Sequence, residues 1–186
     1  KADDFTISAA TNSLTAGCLT FTSSTAGKSF ALGKATKADI VLGQSAFDAF
    51  NASRVEIGQS GSSGNIDLGA LVLSGPRLDL WANGGGDVTV SGAFNSTSSE
   101  SIGLYIHGDG STTELNANIT SNAAVVIADS INVTADVTID TTSGNANVTL
   151  LGGKPGGAAE GIYAGSTGLT LIIDAGGGTA FLGGDE

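Results

Sequence analysis

The chain has 186 residues, of which 40% are hydrophobic, 13% are charged and 29 are glycine, and its formal net charge is −11 at pH 7. The hydrophobic content argues against a disordered chain. The acidic balance argues against nucleic acid or an anionic membrane surface as a partner, because Lys154 is the only basic residue after Arg77. No run of about 18 apolar residues occurs, so no membrane insertion by a helix is predicted.

The length is that of a single domain with its own hydrophobic core. Residues 1–50 are less regular than residues 51–186, in which short apolar runs recur evenly. Within the irregular portion, residues 45–53 (SAFDAFNAS) are predicted to form a loop or a short helical turn. The chain begins with Lys1 and contains no methionine, so we expect a segment of a longer protein, a processed chain or a fibre subunit.

Short apolar runs separated by turns of Gly, Ser, Asn and Asp predict β-strands along the whole chain. In chain order these runs are residues 5–7, 18–21, 29–32, 39–42, 54–57, 65–73, 77–81, 87–90, 103–106, 113–120, 124–127, 131–139, 147–151 and 169–174. No amphipathic helical window of convincing length interrupts the series, which indicates an all-β protein.

Residues 135–153 (ADVTIDTTSGNANVTLLGG) show the pattern most clearly. Val137 and Ile139 alternate with Thr138 and Asp140, and a second alternating run follows a turn of Thr, Ser, Gly and Asn. Alternation of period two is typical of a half-buried strand. We therefore expect Val137 to point into the core and Thr138 to point toward solvent.

Small aliphatic residues, rather than aromatic ones, occupy the apolar positions of these runs, and aromatic residues make up only 5% of the chain. This composition suits a narrow core in which each coil repeats the inward residues of the one before. We predict a right-handed parallel β-helix (a solenoid) of roughly eight coils, each of about 20 to 24 residues. An antiparallel β-sandwich is the alternative.

The ends of such a stack need caps, because the first and last coils otherwise expose unpaired strand edges. The final residues, FLGGDE, read as the start of another repeat, so we expect either a truncated repeat array or an edge that another subunit covers. Lys1 and the Asp185–Glu186 pair place opposite charges at the two ends, which is weak support for end-to-end stacking.

Residues 55–94 (VEIGQSGSSGNIDLGALVLSGPRLDLWANGGGDVTVSGAF), 112–153 and 166–185 share a rhythm of an IxIG strand, a Gly-Ser turn, a GNIxL strand and a GxVTVxG strand. This rhythm resembles the repeats of filamentous-haemagglutinin-like proteins. The resemblance covers about residues 38–185 and implies a right-handed β-helix within a very large, secreted bacterial surface protein. It further implies a role in adhesion, aggregation or surface-layer construction, and it carries no catalytic motif.

The residues offer one candidate for carbohydrate chemistry. Asp67, Asp79 and Asp87 lie in successive strands or at their edges, with Arg77 nearby, and could form a carboxylate cluster if stacked on one face. The simpler interpretation makes them solvated outward positions, and we adopt it. An exposed aromatic residue beside stacked carboxylates, such as Trp81 or Tyr105, would favour a carbohydrate site.

Other chemistry has less support. His107, the sole histidine, is predicted to be a turn residue, and Cys18, the sole cysteine, a small buried hydrophobe. These two residues make a zinc site improbable. NGGGDVTV (residues 83–90) lacks the spacing of a calcium-binding repeat, which leaves only an adventitious or interface calcium ion open.

Thr and Asn residues are frequent on the predicted outward positions. The threonines are too irregularly spaced for an ice-binding ladder, with Thr20 and Thr22 as one pair and Thr89, Thr134, Thr138 and Thr149 standing singly. Asn-x-Ser/Thr sequons occur five times, and most such matches in a chain rich in Asn and Thr are incidental. The sequons begin at Asn51, Asn95, Asn118, Asn132 and Asn147.

The sequence therefore predicts a structural and adhesive β-helix segment of a secreted or cell-surface bacterial fibre protein, without enzymatic activity, cofactor or catalytic residues. Its expected partners are copies of itself, stacked end to end, or host and cell-surface glycans. Two alternatives stay open. One is a self-assembling filament subunit, and the other is a β-helix that binds or cleaves a polysaccharide.

Overall fold

The computed structural model describes residues 14–34, 37–82, 84–108, 111–152 and 161–183. Within these residues the regular structure is almost entirely β-strand, with one short helix, α1 (Gln44–Asp48), and one 3-10 turn at Thr142–Gly144. No helix in this part of the chain is long and apolar enough to cross a membrane. The strands are β1 (Leu14–Phe21), β2 (Phe30–Leu32), β3 (Ile40–Leu42), β4 (Phe50–Gly58), β5 (Ile66–Leu68), β6 (Leu71–Leu73), β7 (Arg77–Trp81), β8 (Val88–Val90), β9 (Phe94–Ser96), β10 (Ile102–His107), β11 (Thr112–Leu115), β12 (Ile119–Ser121), β13 (Ala124–Ile127), β14 (Ser130–Val133), β15 (Val137–Asp140), β16 (Val148–Leu150), β17 (Ile162–Ala164), β18 (Leu171–Asp174) and β19 (Ala180–Leu182).

The strands form three sheets whose neighbours are, with one exception, three positions apart in chain order. The first sheet has the order β1-β4-β7-β10-β13-β16-β19, the second β17-β14-β11-β8-β5-β2-β3, and the third β18-β15-β12-β9-β6. All strand pairs in the described residues are parallel. The all-β prediction is confirmed, and the antiparallel sandwich is wrong.

One continuous hydrophobic core draws its residues from all three sheets. In the first sheet Val55, Leu78, Leu104, Val125 and Val148 lie in register and are fully buried. These partners are about 21 to 26 residues apart, close to the predicted repeat. Since each buried aliphatic side chain contributes roughly 25 cal/mol per Å² of apolar surface removed from water, the repeated column is a main source of stability.

Three of the longer predicted strands are wrong in their extent, because the chain bends within each of them. Residues 65–73 contain β5 and β6, residues 113–120 cover most of β11 and β12, and residues 131–139 cover most of β14 and β15. In residues 113–120 and 131–139 the chain bends without interrupting the alternation of period two, so the sequence pattern does not reveal the bend. In residues 65–73 the alternation shifts by one residue between Leu68 and Leu71, which marks the bend. The strand predicted at residues 5–7 lies outside the described residues.

The irregular N-terminal portion closes one end of the core. The chain forms β3 beside β2 rather than in the next sheet, which is the exception to the pairing rule. It then forms α1, whose Ala46 and Phe47 are buried, and α1 covers the first half of the segment predicted to be a loop or helical turn, residues 45–53. The prediction is wrong for residues 50–53, which belong to β4. The ring of Phe47 in α1 meets that of Phe50, the first residue of β4, edge to face at 5.4 Å.

The other end of the core is more exposed in the described residues. The last strands of the three sheets, β17, β18 and β19, carry exposed apolar side chains at Ile162, Ile172, Phe181 and Leu182. The residues that follow β19, including Asp185 and Glu186, lie outside the described part of the chain, as do Lys1 and Lys154.

Candidate functional site

The outward face of the first sheet carries charged and aromatic residues where β4, β7 and β10 lie side by side. Val55, Leu78 and Leu104 point inward and are fully buried, so the residues that alternate with them face outward. The parallel register aligns these outward residues in adjacent columns. The polar-aromatic cluster, as we name it, consists of Arg54, Glu56, Arg77, Asp79, Trp81, Tyr105 and His107.

Asp79 lies at the centre of the polar-aromatic cluster and is only 1% exposed. Arg77 donates to its Oδ1 from Nε at 2.8 Å and from Nη2 at 2.7 Å. The Nε2 of His107 lies 3.2 Å from the same oxygen. Because an ionised carboxylate only accepts hydrogen bonds, this contact requires the proton of His107 to be on Nε2.

The second carboxylate oxygen of Asp79 is less well satisfied. Asp79 Oδ2 is buried and has no hydrogen-bond partner in the described part of the chain. The Nε of Arg54 lies 3.7 Å from this oxygen, and the Arg54 side chain is 44% exposed. A buried charge therefore lies beneath a guanidinium group that reaches solvent.

Glu56 neutralises the outer guanidinium. Its Oε1 lies 2.8 Å from Arg54 Nη2, and its Oε2 accepts a hydrogen bond from Thr20 Oγ1 at 2.9 Å. A hydrogen bond with the Cys18 side chain and the charges of Glu56 and Asp79 raise the pKa of Arg54 above its usual value. The cluster thus pairs two arginines with two carboxylates and is close to neutral in charge.

The aromatic members form a continuous stack along the outward face. The rings of Trp81 and His107 have centroids 3.4 Å apart and planes 7° from parallel. The ring of Tyr105 stacks on His107 at 3.8 Å, and the Arg77 guanidinium carbon lies 5.1 Å from the Tyr105 centroid. The contact between Asp79 and His107 also fixes the central ring of the stack. Ring stacking and this contact with the carboxylate therefore both hold the stack in its orientation.

The carboxylate cluster considered from the sequence does not form. Asp79 lies in the first sheet, whereas Asp67 accepts a hydrogen bond from Ser91 Oγ and Asp87 accepts one from the Thr112 amide in the second sheet. The description of Asp79 as a solvated position is also wrong, since its neighbours bury it. The sheet instead brings Arg54, Arg77, Tyr105 and His107 to Asp79.

Two further expectations are corrected in the same region. His107 is the last residue of β10 rather than a turn residue, and its ring is held between two others. Cys18 lies on the outward side of β1 and is exposed rather than buried. Cys18 is in register with Arg54, and Arg54 is in register with Arg77. Since these residues form one outward column of the sheet, the Cys18 side chain points outward as well.

Sequence reasoning missed Arg54 and Glu56 as members of the site. The signal was nevertheless present, since Arg54-x-Glu56 and Arg77-x-Asp79 repeat one charge pattern at the spacing of one coil. Alignment of the repeats would have placed both pairs side by side. In the next repeat, the same alignment places Tyr105 beside Asp79 and His107 beside Trp81.

A second polar group is buried at a bend between the first and second sheets. The Asp129 side chain accepts hydrogen bonds from Ser111 and Thr113 at Oδ2 (3.1 and 3.2 Å) and from the Ser130 amide at Oδ1 (3.1 Å). Burial raises the pKa of Asp129 to about 6 even though these bonds oppose the shift. Its contacts lie within the fold, and we assign it a structural role.

The remaining candidate features give no site. Among the described residues, no group of three or more His, Cys, Asp and Glu side chains could hold a metal ion. Asp109 and Asp185, which follow a glycine as Asp87 does, lie outside those residues. The outward column of Thr20 continues as Glu56, Asp79, Tyr105, Val126, Thr149 and Phe181, which is not a threonine ladder.

The sequon asparagines have structural contacts in several cases. Asn118 Oδ1 accepts the Thr138 amide at 2.8 Å, and Asn147 Oδ1 accepts the Thr179 amide at 2.9 Å. Each of these bonds joins one repeat to the next. Four of the five sequon asparagines are exposed, namely Asn51, Asn95, Asn118 and Asn147, and Asn132 is half-buried. Glycosylation of these residues stays a hypothesis from the sequence.

No protein-family model matches the chain, and neither a curated protein nor a solved structure matches it. The similarity to filamentous-haemagglutinin-like repeats therefore remains an interpretation of the repeat rhythm, and function has to be argued from the geometry of the molecule.

Proposed function

We propose that the chain is a right-handed parallel β-helix, with up to seven strands to a sheet in the described residues, that serves as a rigid structural and adhesive segment of a bacterial cell-surface or extracellular fibre. The observation that carries this proposal is the pairing of each strand with the strand three positions later. A chain that winds through three sheets in turn produces such pairing. Parallel crossover connections are right-handed in about 98% of cases, which supports the proposed handedness.

The proposed architecture suits a load-bearing segment. Each coil is hydrogen bonded to both neighbours across three sheets, and the core beneath them is a continuous column of aliphatic side chains. Seven strands at a spacing of about 4.8 Å extend roughly 30 Å along the stack. The repeat rhythm, which resembles that of secreted bacterial surface proteins, supports an extracellular location.

A filament subunit that stacks end to end is less well supported than a segment. End-to-end growth requires the first strand of each sheet to be open to the last strand of another copy. At the N-terminal end, Gln44 already occupies the edge of the third sheet at Val72, and the buried Phe47 of α1 covers core residues. We therefore favour a segment of a longer fibre over head-to-tail assembly of separate chains.

A glycan-binding role has its own supporting observation, the polar-aromatic cluster. Cleavage of a glycosidic bond requires carboxyl groups that reach the bond. The Asp79 side chain is 1% exposed and is held by Arg77 and His107, so it is poorly placed to protonate a substrate. We accordingly include glycan adhesion in the proposed function and propose no enzymatic activity and no cofactor.

Solution mass and electron microscopy on one sample test the proposal. We expect particles of one chain, or small closed assemblies, across a concentration series. Long uniform fibres with a repeat near the length of one chain would contradict the segment proposal and would support the filament subunit. Far-ultraviolet circular dichroism on the same sample should show a β-sheet spectrum with no helical component of note.

A further inference from the structure

β17, the end strand of the second sheet, has one side without a partner strand in the described residues. Its other side pairs with β14, and the Gly165 amide donates to the Val133 carbonyl there at 2.8 Å. Successive residues of a strand direct their backbone groups to alternate sides. Ile162 and Ala164 therefore present their N–H and C=O groups to the unpaired side of β17.

β18, the end strand of the third sheet, has the same arrangement. It pairs with β15 on one side, where the Thr141 amide donates to the Asp174 carbonyl at 2.8 Å. Leu171 and Ile173 direct their backbone groups to the side that no described strand occupies. We name the backbone groups of Ile162, Ala164, Leu171 and Ile173 the acceptor edge.

The side chains of the acceptor edge continue the core but are less covered than the coil before them. Ile162 is in register with Ile131, which is fully buried, and yet Ile162 is 38% exposed. Leu171 is half-buried, whereas Val137, in register with it, is 2% exposed. Each inward column thus lacks a final layer at this end.

Two open apolar hollows of about 210 Å³ each flank Ile162. Val133, Leu169 and Leu171 help to form the hollow beside β18, and Leu182 helps to form the hollow beside β19. An apolar cavity of roughly 150 Å³ holds a ligand of benzene size. Each hollow therefore has room for an aliphatic side chain.

The three end strands also lack the features that protect exposed edges in native proteins, such as lysine, proline or a covering element. Their residues, IYA in β17, LIID in β18 and AFL in β19, include one charged side chain, Asp174, and no lysine, arginine or proline. At the opposite end of the stack, Gln44 covers the third sheet at Val72. The acceptor edge is therefore suited to pairing with another strand.

The paired sides of β17 and β18 show what kind of segment these strands hold. They hold β14 and β15, two short strands joined by a bend, with apolar residues at alternate positions. A second folded copy cannot donate this segment, because its β14 and β15 are already paired on both sides.

We propose that the acceptor edge binds the next coil of the fibre, through a two-strand segment of the β14–β15 type that adds in parallel. Its backbone pairs with the four residues of the edge, and its alternate apolar side chains enter the hollows beside Ile162. In this mode of binding, main-chain hydrogen bonds supply affinity and side-chain pockets supply specificity. The inference rests on the proposed role as a fibre segment and names the partner of one end.

Amide hydrogen exchange, measured by NMR, tests the acceptor edge. In the chain alone, its four amides should exchange at least about tenfold faster than those of Tyr163 and Ile172, which the register directs toward β14 and β15. A synthetic peptide of residues 129–140 (DSINVTADVTID) should slow the four edge amides at least about fivefold. The control peptide carries Asn132→Pro and Thr138→Pro, which remove two backbone donors and keep every apolar residue.

Variants of the protein locate the binding of the labelled peptide by fluorescence anisotropy. Ile162→Lys places a charge between the hollows and should weaken binding at least about tenfold. Ile172→Lys adds the same charge on the outward side of β18, at a residue that is 52% exposed, and should leave binding unchanged. Ala164→Pro removes one amide of the edge without adding charge, and we expect about fivefold weaker binding.

Each contrary outcome identifies what has failed. Edge amides as protected as those of Tyr163 and Ile172 would show that the edge is already covered, which overturns the inference. A folded protein that binds neither peptide, or both equally, overturns the proposed occupant. Dimers that Ile162→Lys dissociates would replace the next coil by a second copy. Solution mass and microscopy decide the fibre-segment proposal separately.

Discussion

The side-chain amide of Gln44 pairs with both backbone groups of Val72, as a strand of the sheet would. Its Nε2 donates to the Val72 carbonyl at 2.7 Å, and its Oε1 accepts from the Val72 amide at 2.9 Å. Val72 lies in β6, the edge strand of the third sheet. One side chain thus satisfies backbone groups that would otherwise form an open edge, which is the part of a sheet most prone to intermolecular pairing.

Replacement of Gln44 tests this edge cap. Gln44→Met keeps the approximate size of the side chain and removes both hydrogen bonds to Val72 as well as the one to Asp48 Oδ1, so we expect a loss of about 1 to 2 kcal/mol in the free energy of unfolding. Ser45→Ala, at an exposed neighbouring position of α1, is the matched control and should change stability little. Urea denaturation measures both, and equal stability of Gln44→Met and the wild type would show that the cap contributes nothing.

The inward and outward assignment of β15 is tested by a pair of adjacent substitutions. Val137 is 2% exposed in the hydrophobic core, and Thr138 next to it is half-buried on the outward side. Val137→Asp places an unpaired charge in the core and should cost about 3 kcal/mol or more, whereas Thr138→Asp should cost less than about 1 kcal/mol. Thermal unfolding distinguishes them, and similar losses in both variants would contradict the assignment.

Close stacking of one turn on another is tested at Gly144. A Cβ added at this residue would lie 1.7 Å from the backbone oxygen of Asn122 in the preceding repeat, whereas a Cβ at Gly17 of β1 would have no neighbour within 4 Å. Gly144→Ala should therefore lower the free energy of unfolding by about 2 kcal/mol or more. Gly17→Ala is the control and should be neutral or slightly stabilising; a neutral Gly144→Ala would mean that the repeats are not stacked at this turn.

The buried carboxyl of Asp129 predicts an unusual dependence of stability on pH. Its pKa is raised from 3.8 to about 6 in the folded chain. The folded state therefore holds this proton more tightly than the unfolded state, and the stabilisation is complete below pH 3.8 and is lost as the pH rises through about 6. Between pH 7 and pH 4 acidification should stabilise the protein by on the order of 2 kcal/mol from this group.

Asp129→Asn isolates this contribution. The variant should show a much flatter stability profile between pH 7 and pH 4, while Glu100→Gln, which changes the net charge by the same amount at an exposed position, should retain the wild-type profile. Asp39, whose pKa is lowered to about 2, and Asp140, whose pKa is also lowered, lose their stabilising contributions on further acidification, outside this window. Identical profiles for Asp129→Asn and the wild type would refute the assignment.

Sequence alone predicted the β-class, the repeat length and the inward positions, because alternation of apolar and polar residues depends only on neighbours in the chain. It did not predict the bend inside residues 131–139, since Thr134 and Ala135 continue the alternation. It also missed the bend inside residues 65–73, although Gly69 and the shift of the alternation between Leu68 and Leu71 signal it. It also missed the cap by Gln44, because that contact joins residues 28 positions apart and depends on the path taken by α1.

The polar-aromatic cluster was predicted only in part. Arg77, Asp79, Trp81 and Tyr105 were named as possible parts of one face, but the partners of Asp79 depend on register between β4, β7 and β10. A shift of one residue in any pair would turn the outward residues of that strand into the core. The alternation within a strand predicts which residues face inward and which face outward. Only the register between strands determines which outward residues lie next to each other.

The most direct test of the proposed parallel β-helix is a methyl-methyl NOE spectrum of the isotopically labelled chain. The account predicts contacts between Val55 and Leu78, Leu78 and Leu104, Leu104 and Val125, and Val125 and Val148, since each pair is in register in adjacent parallel strands of the first sheet. Absence of these contacts, with strong backbone contacts between antiparallel strands instead, would contradict the parallel stacking on which the proposed function depends.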